Sequence, residues 1–172
     1  RKTLFSRNGD SWWGGLYISG NSRDIEIDQC IFYDNYRPSG GADFYLNAHT
    51  TDNIGGINLQ VKNTIFFKPD SIFYDNSAAI QSIYIEGNET IDSLIFMNNI
   101  FFYPNEFGIS EDTDHFIFIN NFFDIDPQFC DEDSNEFTIS NISPALNNGD
   151  GGQNIGIYDV GCQRVMVYPG DT

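Results

Sequence analysis

A nine-residue pattern that recurs along the chain constrains its fold more than any other feature. It reads IEIDQCIFY at 25–33, LQVKNTIFF at 59–67, LIFMNNIFF at 94–102 and FIFINNFFD at 116–124, with starts 34, 35 and 22 residues apart. A second piece precedes the first three copies, as LYISGN at 16–21, FYLNAH at 44–49 and IYIEGN at 83–88. Recurrence of this kind is typical of repeat proteins, in which one structural unit stacks on the next.

Each unit predicts three short strands and no helix. The apolar segments are short and rich in β-branched and aromatic residues, and Gly-Asn pairs supply the turns between them. No window shows a 3.6-residue period. A shortest unit near 22 residues with three strands predicts one coil of a parallel β-solenoid, in all about four to five coils. Insertions at 36–43, 50–56 and 68–80 account for the longer spacings.

Alternation within the unit predicts which side chains face the core. The residues expected to point inward and to stack from coil to coil are Ile25, Ile27, Leu59, Val61, Leu94, Phe96, Phe116 and Phe118. A polar column is expected at the following corner, where the repeat aligns Cys30, Thr64, Asn99 and Asn121, with Asn98 and Asn120 one position earlier. Stacked asparagines can hydrogen-bond along the stack, so we expect them to have a structural role and not to bind a ligand.

The charge balance excludes several partners. Asp and Glu number 25 against 8 Lys and Arg, for a net charge of −17. A chain this acidic repels nucleic acid and anionic membranes, and it would bind polyanionic sugars only through a bridging cation. No apolar run approaches 18 residues, so no membrane insertion is expected. The acidity is typical of secreted proteins, where it either attracts Ca²⁺ or keeps the protein soluble.

The C-terminal third carries a family resemblance. The segments DIDPQF at 124–129, EFTISNISPALNNGD at 136–150 and NIGIYDVG at 154–161 resemble the closing segment of secreted right-handed parallel β-helix proteins of the pectate-lyase-like group. The sequence departs from that pattern at Leu146, Asn154, Ile157 and Asp159. The resemblance implies β-helix coils over 1–125, a capping segment over 126–163 and an exposed tail or linker over 164–172. The capping segment is expected to cover the apolar cross-section of the last coil.

Two stretches are candidate calcium sites. The run DEDSNE at 131–136 begins like a calcium loop and offers Asp131, Asp133 and Asn135, but it lacks the loop's Gly at the sixth position and Glu at the twelfth. The terminal PGDT resembles the start of a dockerin-like calcium repeat or a sorting module. That resemblance implies that Asp171 would be the first ligand of a repeat continuing past the chain. Ca²⁺ is therefore the candidate cofactor.

The sequence does not assemble a catalytic site. Polysaccharide lyases of this fold need a basic residue beside acidic calcium ligands, and glycoside hydrolases need paired carboxylates. The basic residues near predicted strands share no clear register with an Asp cluster; they are Arg23, Lys62 and Lys68. The carboxylate pairs are Asp24 with Asp28 and Asp124 with Asp126. The second pair belongs to the capping pattern, so we expect it to form a corner.

Trp12, Trp13 and two cysteines are the remaining candidates. Adjacent tryptophans on a strand point to opposite faces, so one is expected in the core and one at the surface, where it either stacks on a sugar or only packs. Cys130 and Cys162 flank the C-terminal segment, which indicates a disulfide between them in an exported protein. Cys30 lies within a repeat and is expected to be buried.

These observations favour a non-catalytic extracellular β-helix module, located in the secreted fraction or on the cell surface. Its role would be surface adhesion, contact with a polysaccharide or surface glycan, or structural assembly. In the last case an upstream β-helix domain or another copy would stack on the N-terminal coil. The alternative is the C-terminal end of a polysaccharide lyase or glycoside hydrolase whose active coils lie upstream, because this ending occurs on proteins of many activities.

Overall fold

The structure, a computed structural model, describes residues 2–8, 14–19, 23–35, 43–47, 56–68, 81–86, 91–102, 108–110 and 116–164. This part of the chain is all-β and contains no α-helix; one short 3₁₀ turn spans Asp150–Gly152. No helix among these residues has the length and apolarity needed to cross a bilayer.

Three parallel sheets account for most of the strands. Sheet I consists of β1 (Leu4–Ser6), β4 (Ile31–Tyr33), β7 (Ile65–Phe67), β10 (Ile100–Phe102) and β13 (Phe122–Phe123). Sheet II consists of β2 (Leu16–Ser19), β5 (Phe44–Asn47), β8 (Gln81–Glu86) and β11 (Gly108–Ser110). Sheet III consists of β3 (Asp24–Asp28), β6 (Ile57–Lys62), β9 (Ile91–Met97) and β12 (Phe116–Ile119). The chain visits the three sheets in turn, so strands three apart in sequence are neighbours in space.

A fourth, smaller sheet follows. It contains β14 (Phe129–Asp131), β15 (Glu136–Ser140) and β16 (Val160–Cys162). Strand β15 pairs antiparallel with β14 and parallel with β16.

The repeat register predicted from the sequence is confirmed in the strand pairing. In sheet I, Ile31 lies beside Ile65, which lies beside Ile100. In sheet III, Leu59 lies between Ile25 and Leu94. Equivalent side chains therefore form columns that run across each sheet, as expected for parallel strands of one repeat.

The main apolar core is built by all three sheets. Phe66 from sheet I, Leu46 from sheet II and Leu59 from sheet III belong to the same buried cluster. Of the predicted inward residues, those that are buried are Ile27, Leu59, Val61, Leu94 and Phe96. Ile25 and Phe116 are half-buried, and Phe118 is exposed. These three residues lie on β3 and β12, the outermost strands of sheet III in the described part of the chain.

The polar corner between sheets III and I is the predicted ladder. The Thr64 hydroxyl accepts a hydrogen bond from the Cys30 backbone N–H at 3.3 Å. The Asn99 side chain accepts one from the Thr64 N–H, and the Asn121 side chain accepts one from the Asn99 N–H, both at 2.9 Å. The preceding position is left-handed in every coil, at Gln29, Asn63, Asn98 and Asn120. Asparagine tolerates that backbone conformation better than most residues, which explains the Asn pairs of the repeat.

The outer face of sheet I is also buried, because the C-terminal segment packs on it. A second apolar cluster joins Ile65 and Phe67 of β7 to Phe129, Ala145 and Ile155. This segment is not where the sequence predicts it, over the end of the last coil. It covers the side of the stack, while the last coil keeps Phe118 and Phe123 exposed. Each strand of sheet I offers apolar side chains on both faces, and the outward ones require a cover.

Candidate functional site

A groove of about 380 Å³ lies where the C-terminal segment meets the first coils. Amide side chains dominate its walls. The lining residues are Lys2, Gln29, Asn147, Gln153, Asn154, Gly156, Ile157, Tyr158 and Asp159. This set is called the amide groove below. Its volume falls in the range of small-molecule sites, which is roughly 300–1,000 Å³.

Local backbone structure positions both walls of the amide groove. On one wall, the left-handed corner at Gln29 follows β3, and the Lys2 N–H donates to the Asp28 carbonyl at 3.1 Å. On the other wall, the Gly156 N–H donates to the Asn63 carbonyl at 2.7 Å, which ties the C-terminal segment to the polar corner. The side chains of Gln29 and Gln153 meet across the groove in a hydrogen bond of 3.0 Å.

The Asn154 side chain rigidifies the C-terminal wall. Its oxygen accepts from the Asn147 N–H at 3.1 Å, and its amide group donates to Asp159 Oδ1 at 3.2 Å. These bonds hold the loop against the strand that follows it. Because the wall is fixed before any ligand arrives, little conformational freedom would be lost on binding.

Several polar groups in the groove remain available to a ligand. Among the described residues, the Lys2 ammonium, the Asn147 side-chain amide and the Tyr158 hydroxyl have no hydrogen-bonding partner. Tyr158 is 37% exposed. One cation, Lys2, is matched by one carboxylate, Asp159, so the lining carries no strong net charge although the whole chain is at −17.

A second, acidic pocket of about 250 Å³ lies around β14. Burial, with Asp126 and Asp133 nearby, raises the pKa of the Glu132 carboxyl. Arg164 donates to the Phe129 carbonyl at 2.7 Å and provides the only basic side chain of this described lining. The pocket is therefore an acidic surface held together partly by Arg164.

Two of the three predicted calcium ligands of 131–136 line this acidic pocket, namely Asp131 and Asp133. Asp131 Oδ1 accepts from the Ser134 N–H at 3.2 Å within a turn, and Asn135 Oδ1 accepts from the Arg7 guanidinium at 2.9 Å. Asp133 is exposed. Across the described ranges, no three His, Cys, Asp or Glu side chains have an arrangement that could hold a metal ion. Asp171 lies outside the described residues.

A third cluster of charged side chains lies at the corner that follows sheet I and contains Lys68, Asp34 and Asp43. No basic residue is expected to share a clear register with an Asp cluster, but Lys68 follows β7 as Asp34 follows β4, and these strands are neighbours. Burial lowers the pKa of the Lys68 amine, against the opposing effect of Asp43 and Asp34. Burial raises the pKa of Asp34, against Lys68 and Arg7.

This acid–base corner is occupied by structural contacts. Lys68 donates to the Asn35 carbonyl at 3.1 Å, and the Asn35 side chain donates to Asp43 and to the Phe5 carbonyl, each at 3.0 Å. Asn35 and Asp43 are buried. Asp34 and Lys68 are half-buried, and Asp34 Oδ1 is a buried atom without a hydrogen-bond partner among the described residues.

The two carboxylate pairs also serve local structure. Asp28 accepts from the Asn63 side chain at 2.8 Å, and Asp24 accepts from Asn58 at 3.3 Å. Asp126 accepts from the Gln128 N–H at 2.7 Å. The exposed Asp124 occupies a left-handed corner.

The structure brings Cys130 and Cys162 together in a disulfide, which links β14 to β16. Cys30 is free and buried. Trp12 and Trp13 lie outside the described residues.

Sequence reasoning missed the amide groove. The available signal was the density of Asn, Gln and Gly in 147–154, together with Gln29 in a column that holds Asn at the three later coils.

No family model, curated protein or solved structure matches this chain.

Proposed function

We propose that this chain is a non-catalytic module of an exported right-handed parallel β-helix protein, and that it binds a neutral carbohydrate in the amide groove. The observation that carries the proposal is the groove itself, whose lining includes the unpaired Asn147 amide and Lys2 ammonium and the exposed Tyr158 phenol. Sugars present hydroxyl groups that both donate and accept, and side-chain amides do the same.

Several features support the β-helix and the exported location. The chain visits three parallel sheets in turn, and strand–crossover–strand connections within a sheet are almost always right-handed. The resemblance of 124–161 to pectate-lyase-like proteins points the same way. The Cys130–Cys162 disulfide suits an oxidising compartment.

The net negative charge of the chain favours a neutral sugar over an anionic one. An anionic polysaccharide would approach a chain of net charge −17, and Lys2 is the single cation in the described lining of the groove. Repulsion would oppose that approach at low salt. A neutral sugar meets no such barrier, and the exposed ring of Tyr158 is the group on which the apolar face of a pyranose would stack.

Calorimetry or ligand-observed NMR with a panel of neutral and uronic-acid oligosaccharides tests this proposal. We expect a neutral member to bind and Tyr158→Ala to weaken it by about tenfold or more, equal to ~1.4 kcal/mol. The matched control is Tyr17→Ala, because Tyr17 is 36% exposed against 37% for Tyr158 but lies on sheet II, away from the groove. Tyr17→Ala should bind normally.

Three outcomes would contradict the proposal. They are an absence of binding across the panel, an equal loss in both tyrosine variants, and depolymerisation of a bound polysaccharide. The last result would favour the enzyme alternative. The contribution of Trp12 and Trp13 to sugar binding remains a prediction, which replacing each by Ala in the same assay would test.

A further inference from the structure

The last described strand, β16, and the residues around it are held by little buried surface. Ile155 and Gly156 are buried, and the Ile155 N–H donates to the Ala145 carbonyl at 2.8 Å. Beyond them, none of the described residues 157–164 is buried; six are exposed and two are half-buried. Val160, in the strand itself, is 42% exposed. Apolar burial therefore contributes little to holding this segment in place.

Hydrogen bonds join the segment to β15. The Ile139 N–H donates to the Asp159 carbonyl at 3.3 Å, and the Asn141 N–H donates to the Cys162 carbonyl at 3.1 Å. The Arg164 N–H donates to the Asn141 side chain at 2.7 Å. In the described part of the chain β16 is an outer strand of its sheet. An outer strand with little buried surface opens at a lower free energy than the core of a fold.

The disulfide supplies the covalent anchor of this strand, because it links Cys162 of β16 to Cys130 of β14. Residues 157–161 are thereby tethered at both ends, by the buried Gly156 and by Cys162. A second tether limits the conformations that the segment can adopt once it leaves β15, so it favours the paired state. Without the disulfide, the hydrogen bonds and the partial burial alone would oppose release.

The tethered residues form part of the amide groove. Ile157, Tyr158 and Asp159 lie between the two anchors, and all three line the groove. Release of the segment would remove the exposed Tyr158 ring from the site. It would also break the hydrogen bond from the Asn154 amide group to Asp159 Oδ1, which fixes this wall. The oxidation state of the cysteines therefore bears directly on the shape of the groove.

We propose that the Cys130–Cys162 disulfide is a redox lock on the amide groove, and that a dithiol reductant opens it by releasing residues 157–162 from β15. Both cysteines are half-buried, and Cys130 lines the acidic pocket, so a small thiol can approach the bond. The effect on sugar binding rests on the function proposed above, whereas release of the strand does not.

The reaction is thiol–disulfide exchange. A thiolate of the reductant attacks one cysteine sulfur, the bond between the two cysteines breaks, and the other sulfur leaves as a thiolate that takes up a proton. The second thiol of the reductant then displaces the first cysteine, which is also protonated. The reductant ends as a cyclic disulfide, and the protein holds two thiols.

Amide hydrogen exchange, measured residue by residue by NMR before and after complete reduction with dithiothreitol, tests the release. We expect the Ile139 and Asn141 N–H groups, which lose their acceptors, to exchange about tenfold faster or more. Ser140 is the internal control, because its N–H donates to the Gln128 carbonyl at 3.0 Å and not to β16. Unchanged exchange at Ile139 and Asn141, or equal acceleration at Ser140, would overturn the proposal.

Binding of the neutral oligosaccharides of the panel above tests the consequence for the groove. We expect reduction to weaken binding by about tenfold or more, as expected for Tyr158→Ala. The double variant Cys130→Ser, Cys162→Ser should bind weakly without reductant. Cys30→Ala should respond to reductant like the wild type, because Cys30 is not part of the disulfide.

The two proposals fail in different ways. Undiminished sugar binding by the reduced protein would overturn the redox lock and leave the sugar site intact. If the oxidised protein binds no member of the panel, the function proposed above fails, and the exchange rates at Ile139 and Asn141 alone decide whether reduction releases the strand.

Discussion

Replacing Phe67 by alanine tests whether the C-terminal segment seals the outer face of sheet I. Phe67 points away from the main core, and it is buried only because the second apolar cluster covers it. Its ring stacks on Tyr33 at 5.5 Å and Phe102 at 5.1 Å, and meets the edge of Phe129 at 5.3 Å. A fully buried Phe→Ala change costs about 3–5 kcal/mol, against about 0.5 kcal/mol for a typical surface change.

We expect Phe67→Ala to lower the free energy of unfolding by about 4 kcal/mol in urea denaturation followed by circular dichroism. Ile117→Ala is the comparison, since Ile117 points outward from sheet III without a cover; half of a full Ile burial predicts a loss of about 1 kcal/mol. If Phe67→Ala does not fold, Phe67→Leu should show a smaller loss with the same sign. A Phe67→Ala loss no larger than that of Ile117→Ala would refute the packing of the segment on sheet I.

Three further results are expected. Removing the disulfide with Cys130→Ser and Cys162→Ser opens a loop with a sequence separation of 32, and chain entropy predicts a loss of about 3.7 kcal/mol in the same denaturation assay. Asn99→Ala leaves the buried N–H of Thr64 without its acceptor and should cost about 2–4 kcal/mol, measured as a lower urea midpoint. Burial raises the pKa of Asp34, so the folded state binds its proton more tightly than the unfolded state, and this carboxyl reduces stability above its folded pKa. Asp34→Asn should therefore raise the melting temperature at neutral pH. The wild type should gain stability as the pH falls towards the ordinary Asp pKa, and the variant should gain less. A lower melting temperature of the variant at neutral pH would contradict this.

The inward face of the stack was predictable from sequence because alternation encodes it directly. Leu59, Val61 and Phe96 occupy the apolar positions of an alternating pattern, and a period of two assigns them to one face. The polar corner was predictable for a similar reason, since aligned Asn and Thr residues in successive repeats must come together once the strands pair in register. Both features depend only on local pattern and on the repeat.

A different sequence feature predicts that another part of the chain packs on the outer face of sheet I. The strands IFY, IFF and IFF at 31–33, 65–67 and 100–102 are apolar at every position, which indicates burial on both faces. The repeat alone accounts for the middle residue of each triplet, and the outer two required a partner from elsewhere in the chain. The amide groove could not be read from spacing at all, because Gln29 and Gln153 come from segments that only tertiary packing brings together.

The position of the groove would couple the proposed sugar ligand to the docking of the C-terminal segment. Gly156, in the groove wall, has φ +88, and a Cβ there would lie 2.9 Å from Ile65 Cδ1. The wall therefore sits directly on the outer face of sheet I, while Gln29 and Lys2 of the other wall belong to the first coils. A sugar that contacts both walls can bind only when the segment is docked. At 100 times its Kd, such a ligand would stabilise the docked state by about 2.7 kcal/mol, and hydrogen exchange in β15 and β16 would slow in proportion. Slowing confined to the first coils would place the ligand on one wall alone.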